Sequence, residues 1–249
     1  MQSPPDRRTV MVTGATSGIG RAVAKRFAAD SANVIALARN RSALEEVEQE
    51  VTAAGGTPLP LMVDVTVEDE LRRAVDQGLR RFGRLDVLVN AAGHISSGTI
   101  EDTSPAAWDA MMNVNLRSVF LLMQLAAPHL IKTAGNIVNI SSVTGLRSFP
   151  GVLAYCVSKA GVDQLTRCAA LELATKGVRV NAVSPGVIDT PYHEQFSSPE
   201  MMKTYAGLIP LGRVGTPEEV GKVICFLVSE AASYLAGETI EINGGMFMD

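Results

Sequence analysis

Short runs of β-branched and aliphatic residues alternate with longer stretches of helical period along the chain, and this alternation narrows the possible folds more than any other feature. Seven runs read as strands: TVMVTG at 9–14, ANVIALA at 32–38, PLPLMVD at 58–64, LDVLVN at 85–90, NIVNIS at 136–141, VRVNAVS at 178–184 and ETIEIN at 238–243. Between them the pattern predicts helices near 18–30, 41–54, 67–82, 105–132, 152–176 and 217–229. The strand runs are apolar throughout instead of alternating, as expected where helices cover both faces of a sheet. Strand, helix, strand repeated in this way builds a parallel sheet. Helix starts carry local signals: Thr66 ahead of Glu68, Asp69 and Glu70, Ser104 ahead of Pro105, and Thr216 ahead of Pro217, Glu218 and Glu219. No linker, low-complexity tract or repeat divides residues 1–249, so a single domain is expected.

Composition removes several classes of function. A chain of 249 residues can bury roughly 70–75% of the surface its unfolded form exposes, enough for a large core without staples. Lys and Arg number 22 against 26 Asp and Glu, for a net charge of −4. With a pI near 5.5 and no basic block, neither nucleic acid nor an anionic membrane is an expected partner. Cys156, Cys168 and Cys225 are an odd number without a CxxC pair and read as reduced core thiols. The start, MQSPPDRRTVMVTG, lacks the apolar stretch of a signal peptide, and no window suggests 18 uncharged apolar residues, so no transmembrane helix and a cytoplasmic location are expected. Three histidines without an HExxH or Cys/His cluster predict no metal.

The stretch from about 185 to 213 is too long for a simple connection and mixes Tyr192, Phe196, Met201, Met202, Tyr205 and Leu208 with few polar residues. It reads as a substrate lid over about 190–213 or as an extra surface helix with a buried stripe.

TGATSGIG at 13–20 follows the first strand and opens the first helix. Gly14, Gly18 and Gly20, with Ser17 and Ile19 between, stand where a backbone must turn tightly and offer free helix N–H groups to a pyrophosphate. Nineteen residues after Gly20 comes Arg39, where a dinucleotide fold often carries an acid for the ribose hydroxyls. An arginine there can bind a 2′-phosphate, which favours NADP(H) over NAD(H), unless Arg39 is a solvated loop residue. Asp64 can accept from an adenine amino group while Val65 packs on the ring; helix capping is the competing role for Asp64.

Tyr155 and Lys159 in YCVSK share one helix face. Lowering a phenol from a pKa of about 10 to about 7 requires roughly 4 kcal/mol, which a cation about 4 Å away at an effective dielectric near 20 supplies. The pair therefore suits acid/base catalysis, and Ser142 lies thirteen residues upstream.

Taken in order, these motifs resemble the short-chain dehydrogenase/reductase family in its compact form of about 250 residues. TGATSGIG resembles the family's TGxxxGxG loop, NAAG at 90–93 its NNAG, Asn115 in NVNL its helix asparagine, Ser142 in NISS its serine, YCVSK its catalytic pair and SPGVIDT at 184–190 its PGxxxT element. The resemblance implies a doubly wound Rossmann-like α/β domain with a seven-stranded parallel sheet in the order 3-2-1-4-5-6-7, flanked by helices. It implies that Tyr155 exchanges a proton with the substrate oxygen, that Ser142 hydrogen-bonds that oxygen, and that Lys159 depresses the tyrosine pKa and binds the nicotinamide ribose. Asn115 would hold a water linking Lys159 to solvent, Ile188 and Thr190 would fix the carboxamide, and Asn90 and Gly93 would line the adenosine ribose side. His94, after NAAG, would lie at the mouth of the substrate pocket or be a solvated loop residue.

Two departures stand out. Ala91 replaces the second asparagine of NNAG, which removes a strand-tying hydrogen bond, and Asn243 in INGG replaces an aspartate in a tail that serves subunit packing. The apolar helices 105–132 and 152–176 imply a homotetramer or homodimer, or else a broad intramolecular face. The implied function is hydride transfer between a nicotinamide and a carbonyl or secondary alcohol. A 3-oxoacyl-thioester (acyl-carrier-protein) reductase is the specific alternative, with Lys132 and Lys176 as candidate basic contacts, and a non-catalytic NADP sensor is the remaining one.

Overall fold

In the computed structural model, residues 7–191 and 198–248 are described. Seven strands, β1 (Thr9–Thr13), β2 (Asn33–Ala38), β3 (Thr57–Met62), β4 (Val87–Asn90), β5 (Asn136–Ile140), β6 (Arg179–Pro185) and β7 (Thr239–Ile242), pair in parallel in the order 3-2-1-4-5-6-7. The fold is a Rossmann-like α/β domain, as the strand and helix periods predict. Helices α1 (Gly18–Ala29), α2 (Arg41–Ala53), α3 (Glu68–Phe82), α4 (Pro105–Met112), α5 (Ser118–Thr133), α6 (Val143–Leu146), α7 (Leu153–Leu173), α8 (Pro199–Leu208) and α9 (Pro217–Leu227) complete the framework.

The sheet separates two cores. Val10, Val12, Val34, Ala36, Val87 and Val89 face α1, α2 and α9 through Phe27, Val47 and Ile224. Met11, Ile35, Leu37, Leu88 and Ile137 face α3, α5 and α7 through Leu71, Leu122, Leu130 and Val162. Central strands β1, β2 and β4 are buried along their length, whereas the edge strands β3 and β7 stay partly exposed, which corrects the expectation of strands enclosed throughout. In β3 the N–H groups at the flanking odd positions, Thr57 and Val63, donate to β2 at Ala32 and Ala38. Pro58 and Pro60 therefore turn their missing N–H outward, where no ladder bond is lost.

Ser104 caps α4 through the Ala107 N–H, and Thr216 forms a reciprocal capping box with Glu219 on α9. Helix α3 differs from expectation. Its cap is Val67 without a side-chain bond, and Thr66 instead donates its backbone N–H and hydroxyl to Asp64.

The long apolar helix anticipated over 105–132 is interrupted by a widened π turn at Asn113–Arg117. By length and composition alone Pro105–Thr133 is long and apolar enough to cross a membrane, its most apolar 18-residue window having a mean hydropathy of 1.3. Its Leu121, Leu122, Met123, Ala126 and Leu130 are committed to the second core. Between β6 and α9 the chain carries helix α8, capped by Ser198, and a parallel bridge of Ile188 to Gly215. An extra helix thus occupies part of the 190–213 stretch; Tyr192 and Phe196 lie outside the described residues. Of the thiols, Cys156 is buried, Cys225 half-buried and Cys168 exposed, so Cys168 is not the core residue it resembled.

Candidate active site

The turn after β1 is shaped by backbone contact. Gly14 has φ +63°, and a Cβ there would come within 3.0 Å of the Ala91 carbonyl and the Ala92 main chain. A Cβ at Gly20 would collide with the Gly14 carbonyl, so only glycine lets α1 start this close to the strand. Thr13 Oγ1 accepts from both Ala91 N–H and Ala92 N–H at 2.9 Å, which sews the β1 and β4 turns together without an asparagine at position 91. Ser17 precedes α1 in extended conformation, and its side chain does not cap the helix. The first amides of α1 are therefore left for an anion. Arg21 is spent on Glu46 and Glu50, and Lys25 on Glu50, so neither supplies a free cation at that end. Thr190 packs its methyl over Gly18, and Ile188 is buried beneath it, while Ile19 packs on the first core.

Ala15 N–H donates to the Leu37 carbonyl, bringing the glycine turn beside the end of β2. Arg39 follows there, exposed, with no carboxylate at ion-pair distance among the described residues. The Asp64 carboxyl is held below its ordinary range by the Thr66 N–H and hydroxyl, with the Arg39 charge adding to the effect. Val65 packs on the rim of the second core. The Asn90 side chain points inward and donates to Asn139 Oδ1 at 2.8 Å, so it is committed to the sheet and not to the turn.

At the other end, the widened turn sets Asn115, 1% exposed, against the loop after β4. His94 N–H donates to Asn115 Oδ1 at 2.8 Å, and Asn115 Nδ2 donates to the His94 carbonyl at 2.7 Å. Nδ2 also reaches Ser158 Oγ at 3.0 Å, and Ser158 in turn donates to the Tyr155 carbonyl. The Asn115 side chain clamps the His94 main chain on both sides, while the His94 residue itself is exposed. A Cβ placed on Gly93 would lie in ordinary contact with Asn115 Oδ1 at 3.6 Å and Lys159 Nζ at 3.7 Å, so the loop after β4 passes directly beside both groups.

Helix α7 carries Tyr155 and Lys159 a turn apart, with Nζ 5.6 Å from the ring centroid and donating to the Ile140 carbonyl at 2.8 Å. The Ser142 hydroxyl lies beside the Tyr155 phenol and favours its ionised form, while the Ser141 hydroxyl donates to the Lys159 carbonyl at 3.3 Å. Of the two serines, Ser142 is the one that acts on the phenol. Burial pushes the phenol up to about 12, opposed by Ser142, and brings Lys159 down to about 8, opposed by Asp163. Burial thus draws both groups toward neutrality, and the phenol holds its proton at neutral pH.

Sequence reasoning missed two groups. Asp163, buried one turn beyond Lys159, was signalled by a lone acid on an apolar helix face. Phe149, Phe247 and Arg147 form an aromatic and cation-π cluster that ties the loop after Ser142 to the C-terminal tail. Asn243 folds that tail within the chain, donating to Glu241 and the Phe247 carbonyl. Lys132 and Lys176 are exposed beside the Ala134–Gly177 contact, at the strand-start end of the sheet, opposite Ser142.

A family model described as enoyl-(acyl carrier protein) reductase matches residues 14–247. The 3-oxoacyl-[acyl-carrier-protein] reductase FabG of Thermotoga maritima is 42% identical over 240 residues, covering 96% of this chain and 97% of that protein. The 3beta-hydroxysteroid dehydrogenase 1 of Eggerthella lenta is 37% identical over 243 residues, covering 96% and 93%. The crystal structure of a short-chain type dehydrogenase/reductase from Mycobacterium marinum aligns with a TM-score of 0.91 and 36% identity, covering 97% of this chain and 96% of that one.

Proposed function

The chain belongs to the short-chain dehydrogenase/reductase family of oxidoreductases, and from that premise we propose that it is an NADP(H)-preferring enzyme reducing a 3-oxoacyl thioester to the secondary alcohol. The observation that carries the reading is the placement of the Ser142 hydroxyl beside the buried Tyr155 phenol, with Lys159 Nζ 5.6 Å from the phenol ring. Two hydroxyl groups side by side suit one substrate oxygen, stabilised by Ser142 and protonated by Tyr155.

The residues fit a nicotinamide dinucleotide. The cradle that a Cβ at Gly14 or Gly20 would fill, and the uncapped start of α1, suit a pyrophosphate. Gly14, Ser17, Gly18, Ile19 and Gly20 would hold it, Arg39 the 2′-phosphate, Asp64 and Val65 the adenine, the main chain at Asn90 and Gly93 the adenosine ribose side, and Ile188 and Thr190 the carboxamide. When bound, the nicotinamide supplies the hydride. Tyr155 delivers the proton to the carbonyl oxygen, Ser142 donates to that oxygen as its charge develops, and Lys159 holds positive charge beside the phenolate and binds ribose hydroxyls. Asn115 positions the His94 loop and, through Ser158, the start of α7.

Exposed Phe120, Ile131, Val157 and Leu171 on α5 and α7 support a homotetramer or homodimer in the cytoplasm. Lys132 and Lys176 lie too far around the molecule to serve this chain's own Ser142, so a carrier protein docking on them would feed another subunit. A second reading, oxidation of an alicyclic or steroid-like alcohol, is favoured by the apolar Leu146 and Phe149 within a few residues of Ser142. The test follows loss of NADPH or NADH absorbance with a 3-oxoacyl thioester, a 3-ketosteroid and an enoyl thioester. NADPH-dependent reduction of the 3-oxoacyl thioester is expected. Turnover with the ketosteroid alone selects the second reading, reduction of the enoyl thioester alone overturns the carbonyl chemistry, and tight dinucleotide binding without turnover selects a sensor.

A further inference from the structure

Asp163 occupies the position on α7 one turn beyond Lys159 and two beyond Tyr155, so the three side chains form one column along the helix. It is 2% exposed. Three elements converge on it. From β7 the Thr239 hydroxyl donates to Oδ1 at 3.3 Å, just after β5 the Ser141 hydroxyl, which donates to the Lys159 carbonyl, lies near enough to favour the charged carboxylate, and behind Ser142 the main chain at Gly145 lies against Oδ2. Among the described residues Oδ2 has no hydrogen-bond partner. A carboxylate kept only to brace the fold would have both oxygens satisfied, because an unpaired buried acceptor is costly. The charged groups acting on it are Lys159 and Arg167 of its own helix; β5, α6 and β7 contribute hydroxyls or main chain. Arg167 is exposed, which leaves Lys159 as the buried cation of the site.

We propose that Asp163 is a positioning residue whose buried carboxylate holds Lys159 in its protonated form beneath Tyr155, with Thr239 and Ser141 steadying the anion. The proposal rests on the reading of Tyr155 and Lys159 as the acid/base pair. Burial draws Lys159 toward neutrality and raises the Asp163 carboxyl, while each opposes the shift of the other. Each charge therefore favours the other across one turn of the helix, and removing the acid leaves the lysine with burial alone. Charge on the lysine beside the phenol is thereby set from β7, the last strand of the sheet.

The test is a 13C NMR titration of lysine side chains in the full-length protein, with Lys159 assigned by its disappearance in Lys159→Met. In Asp163→Asn the Lys159 midpoint is expected to fall by at least about one pH unit from its wild-type position. Thr239→Val, which keeps the side-chain shape, should move it the same way by less. With a ketone substrate, the alkaline limb of the kcat/KM profile should move with the midpoint while the KM for the dinucleotide stays within about threefold. A residue that only braces the fold would lower the thermal midpoint and leave both titrations where they were. An unmoved Lys159 midpoint in folded Asp163→Asn, or in Thr239→Val where Asp163→Asn does not fold, overturns the proposal. Absence of turnover in the wild-type protein would instead overturn the proposed function, and the NMR titration, which needs no turnover, would still decide the role of Asp163.

Discussion

The two ends of the candidate site are built by opposite means. At the turn after β1, side chains are removed: Gly14 and Gly20 bring main chain against main chain, and α1 begins uncapped. At the start of α7, polar side chains are packed in: Asn115, Ser142, Ser158, Lys159 and Asp163 are all buried. The first end presents fixed backbone dipoles and needs no titration. The second keeps ionisable groups out of water, so its chemistry depends on which of them holds a proton. Substitution at the first end should therefore act on binding and fold, and substitution at the second on rate and pH dependence.

The widest separation is expected from Gly20→Val, whose side chain would meet the Gly14 carbonyl. Dinucleotide affinity, read by fluorescence titration, should fall by more than about a hundredfold, or the protein should not fold at all. An affinity near wild type would show that the turn can relax. Tyr155→Phe should do the reverse, leaving that affinity within a few-fold while turnover drops at least about a hundredfold. If turnover survives, the proton donor lies elsewhere. Asn115→Ala frees the His94 peptide group and Ser158 together, at a cost of about 1–3 kcal/mol in urea unfolding, with turnover down about tenfold. Loss of turnover without loss of stability would return the asparagine to a role in proton relay.

Arg39→Asp sharpens the contrast at the binding end: the ratio of NADPH to NADH affinity should swing by about tenfold or more toward NADH, and an unchanged ratio makes Arg39 a bystander. The smallest effect tests the burial of charge. Lys159 titrates near about 8 in the folded chain against an ordinary 10.5, so between those values the unfolded chain binds the extra proton and stability rises with pH. Tyr155, raised to about 12, keeps its proton above pH 10 when folded, so its contribution is lost as pH climbs toward 12. Urea midpoints at pH 8 and 9.5 should show a gain of about 1 kcal/mol in wild type that Lys159→Met lacks. Equal pH responses in the two proteins would mean that the lysine is already charged when folded.

These differences also explain what the amino-acid order revealed. The glycine turn is contiguous, so TGATSGIG displays its own geometry, and the alternation of strand and helix displays a parallel sheet, whose order comes from the family resemblance. Ser142, Tyr155 and Lys159 are legible because one turn of a helix carries two of them. Asn115 is visible as a residue, but the widened turn that points it at His94 arises from packing of α4 and α5 on α7 and leaves no local mark. Thr239 and Asp163 lie 76 positions apart, and their meeting follows from the placing of β7 beside β6. The direction of the Tyr155 and Lys159 shifts escaped because spacing conveys distance between charges but not exclusion of water. Cys168 looked buried because helical period near a chain of alanines and leucines does not say which face meets the sheet.

Parallel sheets with two free margins are open to growth from both, and a molecule that can add strands at both margins can polymerise. Here one margin is closed to that traffic. Pro58 and Pro60 leave β3 without outward donors at two successive outward positions, so an incoming strand finds carbonyls but little to accept from. The β7 margin carries no proline over Thr239–Ile242, which leaves strand addition a single open margin. Strand pairing through one self-complementary margin joins two sheets and then stops.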